Sequence, residues 1–254
     1  MRNKWKRYTC WVVVGLMSAC GNESKPVEDR STPVSNADSP RATPARDTTA
    51  RGRKNILFFG NSLTAGYGLE LSQAFPALIQ KRLDSLGMPY RAINAGLSGE
   101  TTAGGKERID WLLRQKVDIF VLELGANDGL RGISTKETRR NLQYLIDQVR
   151  AKYPDVKIIL AGMQIPPNMG PQYAADFRNI YRDLAQKNGT ALIPFLLEGV
   201  GGIPKLNLPD GIHPTAKGHQ IIMENVWKVL EEVIREDAQP VADSTSQAQK
   251  TAEQ

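Results

Sequence analysis

The chain has 254 residues, 41% of them hydrophobic and 24% charged, which suits one globular domain with tails. Its net charge of +6 is deceptive, because residues 1–20 carry four positive charges and no negative one, and residues 21–53 carry six against five. The remainder is nearly neutral, with no basic stripe for nucleic acid, and once Cys10 and Cys20 are set aside it has no cysteine to form a disulfide.

Residues 1–8 (MRNKWKRY) are basic, residues 9–19 (TCWVVVGLMSA) are apolar, and Cys20 follows a small residue. A charged start, a short apolar core and a small-residue cleavage site predict a secretory signal over 1–19, too short to span a membrane. LMSAC also resembles a bacterial lipobox, with Met17 where that box usually carries leucine. The resemblance implies a diacylglyceryl group on Cys20 as a membrane anchor; an ordinary secretory signal ending near Ala19 is the alternative. Gly21-Asn22 supply no inner-membrane retention aspartate, so the expected location is the periplasmic side of the outer membrane. Residues 20–53 are rich in Ser, Thr, Pro and charge and read as a disordered tether, as do 238–254 for a tail. The domain is expected over 54–237.

Within it, five apolar runs predict strands: Ile56–Phe59, Arg91–Asn94, Ile119–Leu124, Lys157–Ala161 and Ala191–Phe195. They do not alternate cleanly with polar residues, as expected of strands buried on both faces. Stretches at helical spacing lie between and after them, at 73–86, 104–115, 135–151, 172–188 and 214–235. The alternation predicts an α/β domain whose parallel sheet is covered on both faces, with its site at the loops following the strands.

The first of those loops, FFGNSLTAGYG, places Ser62 at a strand-to-helix turn, where backbone N–H groups suit an oxyanion or a phosphate. Alone it fits a plain turn equally well, and it lacks both the P-loop lysine and the second glycine of a G-x-S-x-G elbow. The loop after the second run, NAGLSGETTAGG, offers the N–H of Gly96. The loop after the third, ELGANDGLRG, offers the side-chain amide of Asn127, although Asn-Asp-Gly is also turn chemistry. The two histidines both lie in PDGIHPTAKGHQ. Asp210, three residues before His213, can reach its imidazole across one turn and fix its tautomer, or can simply cap the following helix. His219 is expected to face solvent or pack locally.

GNSLTAGYG, NAGLSGETT, GANDGLRG and DGIHPTAKGH, in that order, resemble the four defining blocks of SGNH (GDSL-type) hydrolases over nearly all of 54–235. The resemblance is strongest to the bacterial periplasmic branch with thioesterase, arylesterase and lysophospholipase activities. It implies a flavodoxin-like three-layer α/β/α sandwich with a five-stranded parallel sheet. It also implies Ser62 as nucleophile, Asp210 and His213 as the rest of a triad, and Ser62, Gly96 and Asn127 as oxyanion donors. No metal or other cofactor is expected. The family often has Asp between Gly and Ser, where this chain has Asn61.

The segment 162–173 (GMQIPPNMGPQY) resembles the substrate loop of the thioesterase branch, which points to Met163, Ile165, Pro166 and Met169 as acyl-chain contacts. A structural loop packed on the sheet is the other reading. The expected substrates are small-molecule or lipid esters and thioesters. The alternatives are a deacetylase of envelope polysaccharide and a ligand-binding envelope lipoprotein without catalysis.

Overall fold

The structure, a computed structural model, describes residues 52–238. Cys20, the leader, the tail from residue 239 and all of the tether before Gly52 lie outside the described residues. Five strands form one parallel sheet: β1 (Lys54–Gly60), β2 (Tyr90–Gly96), β3 (Ile119–Glu123), β4 (Lys157–Ala161) and β5 (Ala191–Ile193), in the order β2-β1-β3-β4-β5. The α-helices among the described residues are α1 (Ser62–Ala65), α2 (Phe75–Ser85), α3 (Thr102–Leu112), α4 (Ala126–Leu130), α5 (Thr135–Lys152), α6 (Pro171–Asn188) and α7 (Ala216–Ala238). α2 packs with α7, and α5 packs with both α3 and α6, so the sheet is sandwiched between helical layers as expected.

The central strands carry the core. Ile56, Leu57, Phe58 and Phe59 of β1 and Ile119, Phe120, Val121 and Leu122 of β3 are all buried. Removing each such side chain from water is worth about 1.5–3 kcal/mol, which is why these runs are continuously apolar. β2 is one of the two edge strands and is only partly covered, which explains its mixed composition. Its outer edge is capped by Gln80 of α2, whose side-chain oxygen accepts from the Ala92 N–H at 2.6 Å. The registers bring Gly96 of β2, Gly60 of β1 and Glu123 of β3 into one row at the carboxyl edge of the sheet.

His219 differs from expectation. It is only 1% exposed, and its Nδ1 accepts from the Phe75 N–H at 3.2 Å. It thereby satisfies a donor at the start of α2, whose N-cap, Ala74, has no side chain to do so. Burial lowers its pKa to about 4. Above the unfolded value near 6.5 both states hold a neutral ring. Below it the unfolded chain binds a proton that the folded one refuses, so stability falls between about pH 6.5 and 4. About 3 kcal/mol is expected to be lost over that window. His219→Gln keeps an acceptor that does not titrate. Its urea midpoint is expected to fall measurably less than the wild type's between pH 7 and pH 4.5, and parallel curves would exclude His219 as the acid-sensitive group.

Candidate active site

Three loops at the carboxyl edge bring the expected residues together. The turn after β1 places Ser62 at the first position of α1, with Asn61 as N-cap accepting from the Leu63 N–H at 2.9 Å. The segment between β5 and α7 delivers His213, whose Nε2 lies 2.9 Å from Ser62 Oγ. Asp210 Oδ2 lies 2.7 Å from His213 Nδ1, while its Oδ1 accepts from the Ile212 and His213 N–H groups at 2.9 and 3.0 Å. Those hydrogen bonds hold the Asp210 carboxyl down to about 2, the His213 N–H being the largest cause. Asp210 is therefore ionised across neutral pH, with one oxygen committed to its own turn and the other to the ring.

Of the oxyanion donors, Asn127 sits in α4 with its Nδ2 donating to Glu100 O at 2.9 Å, which uses one of its two N–H bonds. The Ser62 N–H belongs to the first turn of α1, where no intrahelical acceptor exists. Gly96 does not fit its expected role. It pairs with Gly60 inside the sheet, and its N–H is taken by Asn94 Oδ1 at 2.9 Å. Its lack of a side chain has a packing reason, since a Cβ there would lie 2.2 Å from Ala65 N. The other glycine of that loop, Gly99, has φ of 80°, and among the described residues no acceptor meets its N–H. It adjoins the Glu100 carbonyl that Asn127 grips.

Residues 58–221 match the GDSL-like lipase/acylhydrolase family model. The chain belongs to this family. Esterase TesA of Pseudomonas aeruginosa is 42% identical over 188 residues, covering 74% of this chain and 92% of its own length. Thioesterase 1/protease 1/lysophospholipase L1 of Escherichia coli K12 is 34% identical, covering 74% of this chain and 89% of its own length. The crystal structure of a psychrotrophic esterase, EstA from Pseudoalteromonas sp., inhibited by monoethylphosphonate, superposes with a TM-score of 0.68 at 31% identity. That match covers 72% of this chain and 99% of EstA. This GDSL hydrolase is a serine esterase with a five-stranded parallel sheet flanked by helices.

The loop after β4 matches its expected role only in part. Met163 is 2% exposed and Ile165 9%, and both belong to the hydrophobic core. Ile165 packs against Gly129, two residues beyond Asn127, so it supports α4 from below rather than offering a surface to a chain. Pro166 is exposed and Met169 is half-buried, and these two remain accessible.

The structure adds residues that the motifs did not single out. Tyr67, half-exposed, lies with its ring centroid 4.3 Å from that of His213 and covers one face of the imidazole. Buried Asp128 accepts from the Thr102 N–H at 2.9 Å and the Thr102 hydroxyl at 2.5 Å, tying α4 to the start of α3. Arg108 pairs through Nε and Nη2 with the two carboxylate oxygens of Glu100 and donates from Nη2 to Ala95 O at 2.9 Å, which anchors the loop whose carbonyl orients Asn127.

Proposed function

We propose that Ser62, His213 and Asp210 hydrolyse carboxylic esters and thioesters by two-step acyl transfer. The continuous chain from Asp210 Oδ2 through His213 to Ser62 Oγ, 2.7 and 2.9 Å long, carries this reading. As Ser62 Oγ bonds to the carbonyl carbon, His213 Nε2 takes its proton and Asp210 stabilises the imidazolium. His213 then returns that proton to the departing alcohol or thiol. A water, deprotonated by the same nitrogen, cleaves the acyl-enzyme and frees the acid.

The oxyanion is received by the Ser62 N–H, the free N–H of the Asn127 amide and the Gly99 N–H. Gly99 replaces Gly96 because its N–H is uncommitted among the described residues. Asn127→Ala is expected to lower kcat by about 10²–10³-fold with little change in KM. Unchanged turnover would remove Asn127 from the mechanism.

Medium-length acyl groups are the favoured substrates. Tyr67, whose ring lies against His213, and exposed Leu97, Leu130 and Ile212, each within a few residues in sequence of a triad or oxyanion residue, are the apolar side chains that support this reading. Withdrawal of Met163 and Ile165 into the core favours a second reading, in which the site is shallow and takes acetyl esters such as those of envelope polysaccharide. Hydrolysis of p-nitrophenyl esters from acetate to palmitate by the full chain, with Ser62→Ala as control, decides between them. A maximum at medium chains supports the first reading, and activity confined to acetate supports the second.

We further propose that a lipid on Cys20 anchors the enzyme, as LMSAC suggests, and that Gly21-Asn22, which lack a retention aspartate, send it to the outer membrane. Cys20→Ala is expected to move it from the membrane to the soluble fraction, and an unchanged distribution would refute the anchor.

A further inference from the structure

Glu123 closes β3, is wholly buried, and contacts neither the triad nor the accessible surface. Its Oε1 accepts from Asn61 Nδ2 at 2.8 Å. Its Oε2 accepts from the Asn61 N–H at 3.1 Å and from the Thr64 hydroxyl at 2.7 Å. The donors come from the residue before Ser62 and from the residue two beyond it, so one carboxylate clasps both sides of the nucleophile turn. Gly60 makes room for it, because a Cβ there would lie 2.5 Å from Oε2 and 2.1 Å from Thr64 Oγ1. A carboxylate in a core is costly to bury, and a glutamine would pack there as well. Its retention at this place calls for a reason beyond packing.

We propose that Glu123 is a positioning residue for the nucleophile: as a carboxylate it accepts from the Asn61 N–H, the Asn61 amide and the Thr64 hydroxyl and so fixes Ser62 Oγ against His213. The inference rests on Ser62 being the nucleophile.

The hydrogen-bond polarity explains why both residue types matter. Asn61 must point its oxygen at the Leu63 N–H, which leaves its NH₂ facing Glu123, and only an acceptor can answer there. A protonated Glu123 would set a donor among donors, and only the Thr64 hydroxyl could turn round to accept it. Burial pushes this carboxyl up to about 7, against the downward pull of the Thr64 hydroxyl and the Asn61 N–H. The titratable group facing it from a neighbouring element is Tyr181 of α6, itself committed to Leu124 O at 2.9 Å. Tyr181 is not a cation, so the hydrogen bonds of the turn are what favour the charged form of Glu123.

The aspartate that the family often carries at position 61 would set two carboxylates about 2.8 Å apart in this chain. Such a pair holds one proton between them and cannot lose it cheaply.

Three variants test this by kcat and KM across pH 5–9, with near-ultraviolet circular dichroism as the check of folding. E123Q must turn its amide NH₂ toward either the Asn61 NH₂ or the Asn61 N–H, so that one donor faces another. It is expected to lose about 10- to 100-fold in kcat with KM within about twofold, as a small misplacement of the nucleophile does. N61D/E123Q reverses the polarity of the pair. The carboxylate now at position 61 accepts from the amide NH₂ now at position 123 and from the Leu63 N–H. The amide oxygen at position 123 in turn accepts from the backbone N–H of position 61 and from the Thr64 hydroxyl. This swap is expected to recover to within about threefold of wild type. N61D alone is expected to lose kcat as pH rises above about 7 and the shared proton leaves, where wild type, with Glu123 ionised there, keeps its kcat and loses it only on the acid side.

Wild-type kcat in E123Q, a folded swap no better than E123Q, or a wild-type pH profile in N61D would each overturn the proposal. If E123Q does not fold, the swap against wild type and the N61D profile decide it. Turnover that survives Ser62→Ala would overturn the assignment of the serine itself. A failed swap in an enzyme whose Ser62→Ala is inactive would overturn the role of Glu123 alone.

Discussion

Ser62→Ala and His213→Ala are each expected to lower kcat by about 10⁶-fold, and the double variant is expected to be no slower than either. The expectation follows from the geometry of a unit. With Nε2 2.9 Å from Oγ, the ring has one task in acylation, to take the serine proton, and the serine one task, to attack once that proton is leaving. Removing either leaves the other without work. Residual rate should persist above that of water, supplied by the oxyanion donors and by substrate binding. A double variant slower by the product of the two losses would mean that the residues act independently, and the 2.9 Å contact would then be incidental. Release of p-nitrophenol from one ester, with unfolding midpoints measured beside it, separates these outcomes. Tyr67 offers a control, because it covers the imidazole face but holds no proton in the reaction, and its loss should cost far less.

The Asp210–His213 pair of the proposed triad was legible because it is local in sequence, whereas Ser62, 151 residues from His213, was joined to it only through the four-block resemblance. Asp210 and His213 lie three residues apart, and Ser62 stands at the end of an unmistakably apolar strand. The strands were legible for the same reason as the core: Ile56–Phe59 and Ile119–Leu122 are buried on both faces and read as unbroken runs. α1 and α4 were not visible as helices, because elements of four and five residues are too short to show a period of 3.6.

The choice between Gly96 and Gly99 was not legible either. Both lie in NAGLSGETT, and only the backbone shows that one N–H is spent on Asn94 while the other has no acceptor among the described residues. Likewise the apolar pattern of 162–173 could not say that Met163 and Ile165 turn inward against the sheet and α4. The buried carboxylates left a readable sign. Glu123 ends a strand that is otherwise wholly apolar, and a charge in such a run must have partners close by. That its partners flank the nucleophile is information held in the register of β1 against β3, which pairs Gly60 with Glu123.

The site therefore has two layers of control built from the same chemistry. Asp210 is exposed, held low by backbone N–H groups, and oriented toward the ring. Glu123 is buried, raised by loss of water, and oriented toward the turn. On the proposed mechanism the first sets the tautomer of the base and the second sets the position of the nucleophile. Acid therefore reaches the site through Glu123 long before it reaches Asp210.

Asp210→Asn is expected to lower kcat by about 10⁴-fold while leaving the fold and KM nearly unchanged. The division of labour between the two oxygens of Asp210 makes this variant informative. Oδ1 carries both backbone hydrogen bonds, and the amide oxygen of asparagine can keep them, so the turn at 210–213 should survive. Oδ2 faces the ring nitrogen at 2.7 Å, and there asparagine presents an NH₂. Nδ1 must then accept rather than donate, which places the ring proton on Nε2, the nitrogen that has to receive the serine proton. Asp210→Ala removes both functions, so it should match the asparagine variant in rate and fall below it in stability. If Asp210 were only a cap, the asparagine variant would keep wild-type kcat and the alanine variant would lose stability in proportion to its loss of rate. Thermal unfolding and kcat measured on the two variants together distinguish a cap from an orienting carboxylate.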